Sequence, residues 1–443
     1  MAGASTVEGA LILGKHEELW GRHRQVLPSW MALYYAEPIS IVDGEGRRVV
    51  DAEGNEYLDM FGGILTTMTG YKVPEVVAAI REQAGKMLHT STLYLIESQI
   101  ELAERLAELS GIPDAKVFFT NSGTEANDTA LMLATQYRKS NQVLAMRNSY
   151  HGKSHSAVAI TGNAAWSATT LSPFQVTYVH SGYIYRSPFR DLPDQEFIQA
   201  CKDDLVDLLG VATAGDVACL IAEPVQGVGG FTTPPDGFFG GLKEVLDEHD
   251  ILFITDEVQT GWGRTGEHFW GYQAHGIVPD MLTFAKGLGN GLAMAGVICR
   301  GDIMDSLPAN SISTFGGNPL ATTGALANLD YLLSHDLQTN AAKVGQRLKD
   351  GIHHIAEEVP NIGDVRGKGL MIGVEFVAPG TRTPDAATTG RVMEEAKAGG
   401  LLIGKGGMHG NVLRIAPPLS ITEDEADEGL AKLSQAVHRA VGA

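Results

Sequence analysis

Six short apolar segments constrain the fold of this chain more than any other feature. They are KVFFT at 116–120, QVLAMR at 142–147, ACLIAEP at 218–224, ILFITDE at 251–257, MLTFA at 281–285 and AGVIC at 295–299. Each is rich in β-formers and interrupted by Gly, Pro or polar residues, and stretches of helical character separate them. A segment that is apolar throughout, rather than alternating, belongs to a strand covered on both faces. Strands of that kind alternating with helices predict an α/β domain.

The flanking sequence has a different character. In ISIVDGEGRRVVDAEGNEYLDM, residues 39–60, the DGEG and DAEGN turns split strand-like pieces into two small hairpins. PEVVAAIREQAGKML follows, with Pro74 opening a helix whose apolar face is expected at Val77, Ile80, Ala84 and Met87. Residues 161–198 carry Pro, Gly and aromatics without a period, and are expected to wander irregularly over the surface. Beyond about residue 325, helical stretches at 320–355 and 384–398 join strands GLMIGVEF, LLIG and VLRIA. With a last amphipathic helix from about 422, these read as a smaller α+β domain. The expected division is an N-terminal segment 1–65 contributing to the small domain and a subunit interface, a large domain 66–325 and a small domain 326–443.

A chain of 443 residues is long enough for such an arrangement. With 33 Lys and Arg against 53 Asp and Glu, its net charge of -20 repels polyanions, so nucleic acid is not the expected partner. Only three cysteines occur, without paired spacing, which argues for reducing conditions and against disulfides or a thiolate metal site. The opening MAGASTVEGALILGKHEELW lacks a basic start and a long apolar core, and no run reaches the about 18 apolar residues of a membrane span. The expected setting is the cytoplasm.

Chemistry gathers at the ends of the apolar segments. Lys286, in TFAKGLGNG, closes one of them just before glycines, as a solvated lysine or a positioned amine. ILFITDE brings Asp256 to its carboxyl end, the edge at which ligands of open α/β sheets bind; a turn or helix cap is the ordinary alternative. In FFTNSGTEAN, Ser122, Gly123 and Thr124 lead into a helix, presenting N–H groups and hydroxyls suited to a phosphate, or else forming a plain capping box. The spaced glycines and Lys-Ser/Thr pair of a nucleotide-hydrolase loop are absent. Tyr150 and His151, in NSYHGK, stand at another strand end, where an aromatic ring could cover one face of a planar heterocycle while Val258 covers the other, or simply fill core. His89, His151 and His155 have no ligand spacing, so no metal is expected. Pyridoxal phosphate needs an amine for a Schiff base, an acid for its pyridine nitrogen and a dock for its phosphate, and these residues supply all three.

The motifs NSGTEAN, YHGK, AEPVQGVGG, TDEVQTGWGRTG, AKGLGNG, TFGGNP, GDVRGKGLMIGVE and LRIAPP occur in one consistent order. From about residue 35 to the C-terminus the chain therefore resembles the class III aminotransferases of the type I pyridoxal phosphate fold. That resemblance implies a large domain with a mostly parallel central sheet plus a smaller α+β domain. It also implies that Lys286 bonds covalently to the cofactor, Asp256 pairs with the ring nitrogen and Gln259 lies near the phenolic oxygen. Ser122, Gly123 and Thr124 would hold the phosphate, with Thr314 reaching it from the other subunit of a homodimer. Tyr150 would stack on the ring, beside His151, and Val258 would pack below it. Arg414 resembles the arginine that binds the substrate carboxylate, and Glu223 the glutamate that neutralises it; a structural Arg414–Glu223 ion pair is the plainer alternative.

Within the class, HTSTLY, HFWGYQAHGIVPD and GDVRGKGLMIG are most similar to the alanine:glyoxylate and ω-amino acid aminotransferases. Lys153 stands where enzymes specialised for 4-aminobutyrate carry an arginine, and Tyr71 and Lys72 replace the usual Gly-His segment near the substrate entrance. The implied reaction moves an amino group from alanine, β-alanine or another ω-amino acid to pyruvate or glyoxylate. A 4-aminobutyrate or other specialised amine aminotransferase, and a mutase or racemase on the same fold, are the related alternatives, and a scaffold without turnover is the more distant one. A dinucleotide dehydrogenase is disfavoured because no glycine-rich fingerprint follows an early strand.

Overall fold

A computed structural model describes residues 14–31 and 33–442. Residues 1–13, on which much of the expectation about a secretory signal rests, lie outside them. Among the described residues no helix is long and apolar enough to cross a membrane.

All six apolar segments are strands of one seven-stranded sheet. Its order is Ala115–Thr120, Ala295–Arg300, Met281–Phe284, Leu252–Asp256, Cys219–Ala222, Gln142–Met146 and Gln175–Val179. Ala295–Arg300 runs antiparallel to both its neighbours, Ala115–Thr120 and Met281–Phe284, and every other pairing is parallel, so the sheet is mostly parallel. Leu252–Asp256, Cys219–Ala222 and Met281–Phe284 are buried at every position, as their unbroken apolar character requires.

The seventh strand corrects the reading of residues 161–198. Gln175–Val179 pairs in parallel with Gln142–Met146, from Gln142 opposite Gln175 to Met146 opposite Val179. The helix Asp194–Ala212 also starts within that stretch. As an edge strand, QVTYV is only partly covered and alternates polar with apolar side chains, so it lacks the continuous apolar run of the others.

The two N-terminal hairpins form as expected from Ile41–Glu45, Arg48–Asp51 and Glu56–Asp59. Their sheet is completed by Leu401–Leu402, parallel to Glu56–Asp59, which joins the N-terminal strands to the C-terminal part of the chain. A third sheet has the order Ile362–Lys368, Met371–Phe376, Val412–Ile415, Gly404–Gly406. Thus LLIG divides between two sheets. Ile362–Lys368 is a strand that the sequence conceals behind Gly, Asp, Arg and Lys, tolerable because it lies at a sheet edge.

The expected helix at 320–355 is two, Pro319–Ser334 and Leu337–Glu358, broken where Asp336 adopts a φ of +48°. The first of them runs through residue 325 without a break. Pro74–Lys86 is helical with Pro74 in its first turn. Its covered side, however, is Val76 with half-buried Val77 and Ile80, whereas Ala84 and Met87 are exposed. The final helix, Glu423–Val441, starts with a reciprocal Thr422 and Glu425 capping box.

Packing fixes the strand that carries Lys286. Phe284, fully buried, meets Phe119 and Trp262 edge to face, with centroids 6.2 and 5.8 Å apart. Phe284→Ala should therefore lower unfolding stability by about 3–5 kcal/mol, measured by denaturant titration. A loss below about 1 kcal/mol would contradict this packing account.

Candidate active site

Neighbouring strands in parallel register bring the acid and the amine together. Asp256 ends its strand opposite Thr283 of the next one, and that strand delivers Lys286 two residues after Phe284. Lys286 has a φ of +46°, an uncommon conformation for a residue with a side chain. The turn is held from behind. Buried Asn328 donates to the carbonyls of Gly287 and Leu288 at 2.9 and 3.0 Å, and Asn290 accepts from the Thr69 N–H at 3.1 Å. At Gly287 a Cβ would stand 2.7 Å from Met68 Sδ, so a side chain there would have to displace Met68.

Asp256 is buried and orders its own surroundings. Its Oδ2 accepts from Asn127 Nδ2 at 2.8 Å and faces His151 Nδ1 at 2.8 Å, while Oδ1 accepts from the Val258 N–H at 3.1 Å. Beside a carboxylate, His151 Nδ1 carries the proton, leaving buried Nε2 without a partner. Asn127 is oriented in turn by Thr283, whose hydroxyl donates to its carbonyl oxygen at 2.7 Å. The adjacent Glu257 points elsewhere, accepting from the N–H groups of Gly271 and Tyr272, and burial raises its pKa to about 7.

The helix Gly123–Arg138 starts at the same edge. Ser122 is its cap, Oγ accepting from the Glu125 N–H at 3.2 Å, and Glu125 reaches back to the Asn121 N–H at 2.7 Å. Capping and phosphate docking coexist, because the amides of Gly123 and Thr124 remain first-turn donors without intrahelical acceptors. A Cβ on Gly123 would stand 3.1 Å from Val258, so the helix end and Val258 approach closely.

These groups line one cavity of about 390 Å³. Ser122, Gly123, Thr124, Tyr150, His151, Glu223, Asp256, Val258, Gln259 and Lys286 all face it. Tyr150 lies edge-on to Trp166, centroids 5.4 Å apart, and its N–H donates to Glu223 Oε1 at 2.9 Å. Glu223 Oε2 accepts from the Gly227 N–H at 2.8 Å; burial, reinforced by the charge of Asp256, raises its pKa. Burial lowers the pKa of Lys286 to about 8, with Arg414 acting in the same direction and Asp256 and Glu223 opposing it.

A family model for class-III aminotransferases matches residues 32–437. The chain belongs to that family. It is 40% identical over 410 residues, covering 92% of this chain and 84% of the relative, to alanine-glyoxylate aminotransferase 2 homolog 2 of Arabidopsis thaliana. It is also 37% identical to a leucine/methionine racemase of Thermococcus litoralis, over 96% of each chain. The structure superposes with a TM-score of 0.88 on an (S)-enantioselective omega-transaminase from Thermomicrobium roseum, at 32% identity, covering 96% of this chain and 99% of that one. This class III aminotransferase has the α/β type I fold and the enzymatic activity of its family, which uses pyridoxal phosphate.

The cavity fits that cofactor on its own evidence. Gln259 lines the cavity, and its Nε2 amide is the group that could donate to a phenolic oxygen, while first-turn N–H groups stand ready for a phosphate. Asp256 Oδ1, with one N–H donor, keeps capacity for a protonated ring nitrogen.

Two residues expected at this chain's own site, Lys153 and Arg414, are not on the cavity wall, and Thr314 is expected at the partner's site. Thr314 is exposed in the loop before Pro319–Ser334. Lys153 is exposed, and it is its backbone N–H that meets Thr124, at 3.3 Å from Oγ1. Arg414 is buried behind the wall, and the ion pair with Glu223 is not formed. Instead Arg414 donates to the carbonyls of Lys405 and Gly227 and to the Tyr34 hydroxyl, at 3.1, 3.2 and 2.9 Å. Tyr71 donates to Asp59 at 2.7 Å and Lys72 pairs with Asp43, neither lining the cavity. The sequence reading missed Asn127 and Thr66, which line it, and Tyr34. Asn127 had a signal, since it is an amide on the first turns of the phosphate-facing helix.

A neutral amine is the nucleophile that captures an aldehyde, so capture of pyridoxal phosphate by the cofactor-free enzyme should accelerate with rising pH and level off above about 8. Stopped-flow absorbance checks this, and a rate still climbing at pH 10 would refute the depressed value. Lys286→Ala should yield no borohydride-fixed adduct in mass spectrometry.

Proposed function

We propose that this enzyme takes an amino group from alanine, β-alanine or another ω-amino acid and passes it to pyruvate or glyoxylate. The observation that carries this reading is Arg414. Its guanidinium is buried against the faces of Phe61 and Phe231, 4.8 and 5.6 Å from their centroids, and among the described residues is met by neutral oxygens only. A buried guanidinium without a counter-anion is costly, and a substrate carboxylate would complete it. The charge of Arg414 adds to the effect of burial in lowering the pKa of Lys286.

When bound, pyridoxal phosphate supplies an electron sink for the charge left as a proton leaves the carbon beside the substrate nitrogen. Lys286 would hold it covalently, Asp256 its ring nitrogen, Gln259 its phenolic oxygen and the Ser122–Thr124 turn its phosphate, with Tyr150, His151 and Val258 about the ring. Once the substrate's own amine has displaced it from the cofactor, Lys286 Nζ would be the base that holds and moves the substrate proton. Arg414 binds the carboxylate and orients the carbon toward that amine. Glu223 caps two backbone N–H groups and keeps the loop around Gly227 in place.

Lys153 does not line the cavity and so offers no cation there for the far carboxylate of 4-aminobutyrate, which favours the shorter substrates. The racemase likeness favours a second reading on the same residues, in which the proton returns to the substrate carbon. A homodimer is part of the proposal, with Thr314 reaching the partner's cofactor. The exposed Leu88, Leu93, Tyr94, Leu95, Ile312 and Phe315, Leu95 at 93% exposure, supply apolar surface for it. We place the enzyme in the cytoplasm on its composition.

The test follows the cofactor's visible spectrum as β-alanine, 3-aminoisobutyrate, alanine, 4-aminobutyrate and ornithine are added singly, then pyruvate or glyoxylate. Conversion to the amine form by a short donor and its reversal by the keto acid are expected. Racemisation without any keto acid requirement would favour the second reading, and an unmoved spectrum would defeat both. Arg414→Lys should lower kcat/KM for pyruvate roughly 10- to 100-fold through loss of the two-pronged contact. Unchanged acceptor kinetics would remove its carboxylate role.

A further inference from the structure

Among the described residues that accept from Arg414, Lys405 and Gly227 offer backbone carbonyls, and Tyr34, from the far end of the sequence, offers a side chain. Its hydroxyl oxygen accepts from Arg414 Nη2 at 2.9 Å, and its ring packs on Phe61 with centroids 5.7 Å apart. Phe61 in turn lies against the Arg414 guanidinium. Tyr34 sits in a stretch without helix or strand, yet the stretch is tied down. Ala36 N–H donates to Glu394 at 2.7 Å, Lys397 donates to the Glu37 carbonyl at 3.0 Å, and Lys397 stands 5.1 Å from the Tyr35 ring centroid.

The glutamate that would otherwise quench Arg414 is occupied. Both oxygens of Glu223 accept backbone N–H groups, from Tyr150 and Gly227, and no carboxylate of the described residues pairs with Arg414. A phenol differs from a carboxylate in one respect that matters here. It accepts from the guanidinium and still owns a proton, for which the described residues offer no acceptor. A carboxylate arriving on Arg414 would therefore meet a ready O–H donor beside the guanidinium rather than a competing negative charge.

We propose that Tyr34, rather than Glu223, is the partner of Arg414 that positions it, and that the Tyr34 hydroxyl donates to the carboxylate of the bound amino or keto acid. The proposal rests on the reading of Arg414 as the carboxylate receptor. It makes Tyr34 a specificity residue for substrates that carry a carboxylate next to the reacting carbon.

The test uses the holoenzyme and Tyr34→Phe, which keeps the ring on Phe61 and removes only the hydroxyl. KM for pyruvate should rise roughly tenfold, while kcat changes much less. The ratio of that KM to the KM for a primary amine without a carboxylate should rise by a similar factor. As a readout independent of turnover, the dissociation constant of propionate, titrated calorimetrically into the holoenzyme, should rise roughly tenfold. Equal pyruvate KM and equal propionate binding in Tyr34→Phe and the parent would overturn the proposal. So would a fall in kcat with both KM values unchanged, which would mark Tyr34 as structural. If the parent enzyme binds propionate no more weakly after Arg414→Lys, the reading of Arg414 fails first, and the two failures are told apart.

Discussion

Parallel pairing of Leu252–Asp256 with Met281–Phe284 is the constraint on which the rest of the site depends. Backbone hydrogen bonds set the register, so the last residue of one strand and the turn after the next emerge at the same edge. The acid and the amine are thereby placed by main-chain geometry. Side chains refine the placement: Asn127, His151 and the Val258 N–H fix the Asp256 carboxylate, and Asn328 fixes the lysine turn. A helix N-terminus at the same edge contributes donors whose direction is set by its axis.

Charge is handled by the same burial that creates the cavity. At Lys286 the charge of Arg414 acts with burial, while those of Asp256 and Glu223 oppose it. Burial dominates at Lys286 and Glu223 and pushes each toward its neutral form. For the lysine this yields an amine able to act near neutral pH. Arg414 settles on carbonyls, a phenol and two aromatic faces. That arrangement satisfies its N–H groups without neutralising its charge, which is the condition for binding an anion reversibly.

Much of this was legible in order along the chain. Strands covered on both faces announce themselves as unbroken apolar runs, and each of the six such segments is a strand of the large sheet. The strands that escaped notice, Gln175–Val179 and Ile362–Lys368, are edge strands, where one side of the ladder is open and polar residues are tolerated. The helix Pro74–Lys86 was legible as a helix but not in which side it buries, since Val76 rather than Ala84 or Met87 faces the body it packs on. Periodicity marks an apolar stripe, and the neighbours decide how much of it is covered.

The sequence by itself determined the inventory: a lysine after a buried strand, an acid ending another, hydroxyls and glycine before a helix, and an arginine within an apolar segment. Those choices are local, because strand burial, capping and turn chemistry depend on residues a few positions apart. Only the tertiary structure decided the partners. Asn127 meets Asp256 across the cavity edge, and Arg414 meets Tyr34 rather than Glu223. Such contacts join residues far apart in the chain, and their geometry follows from how sheets and helices pack, which no local pattern encodes.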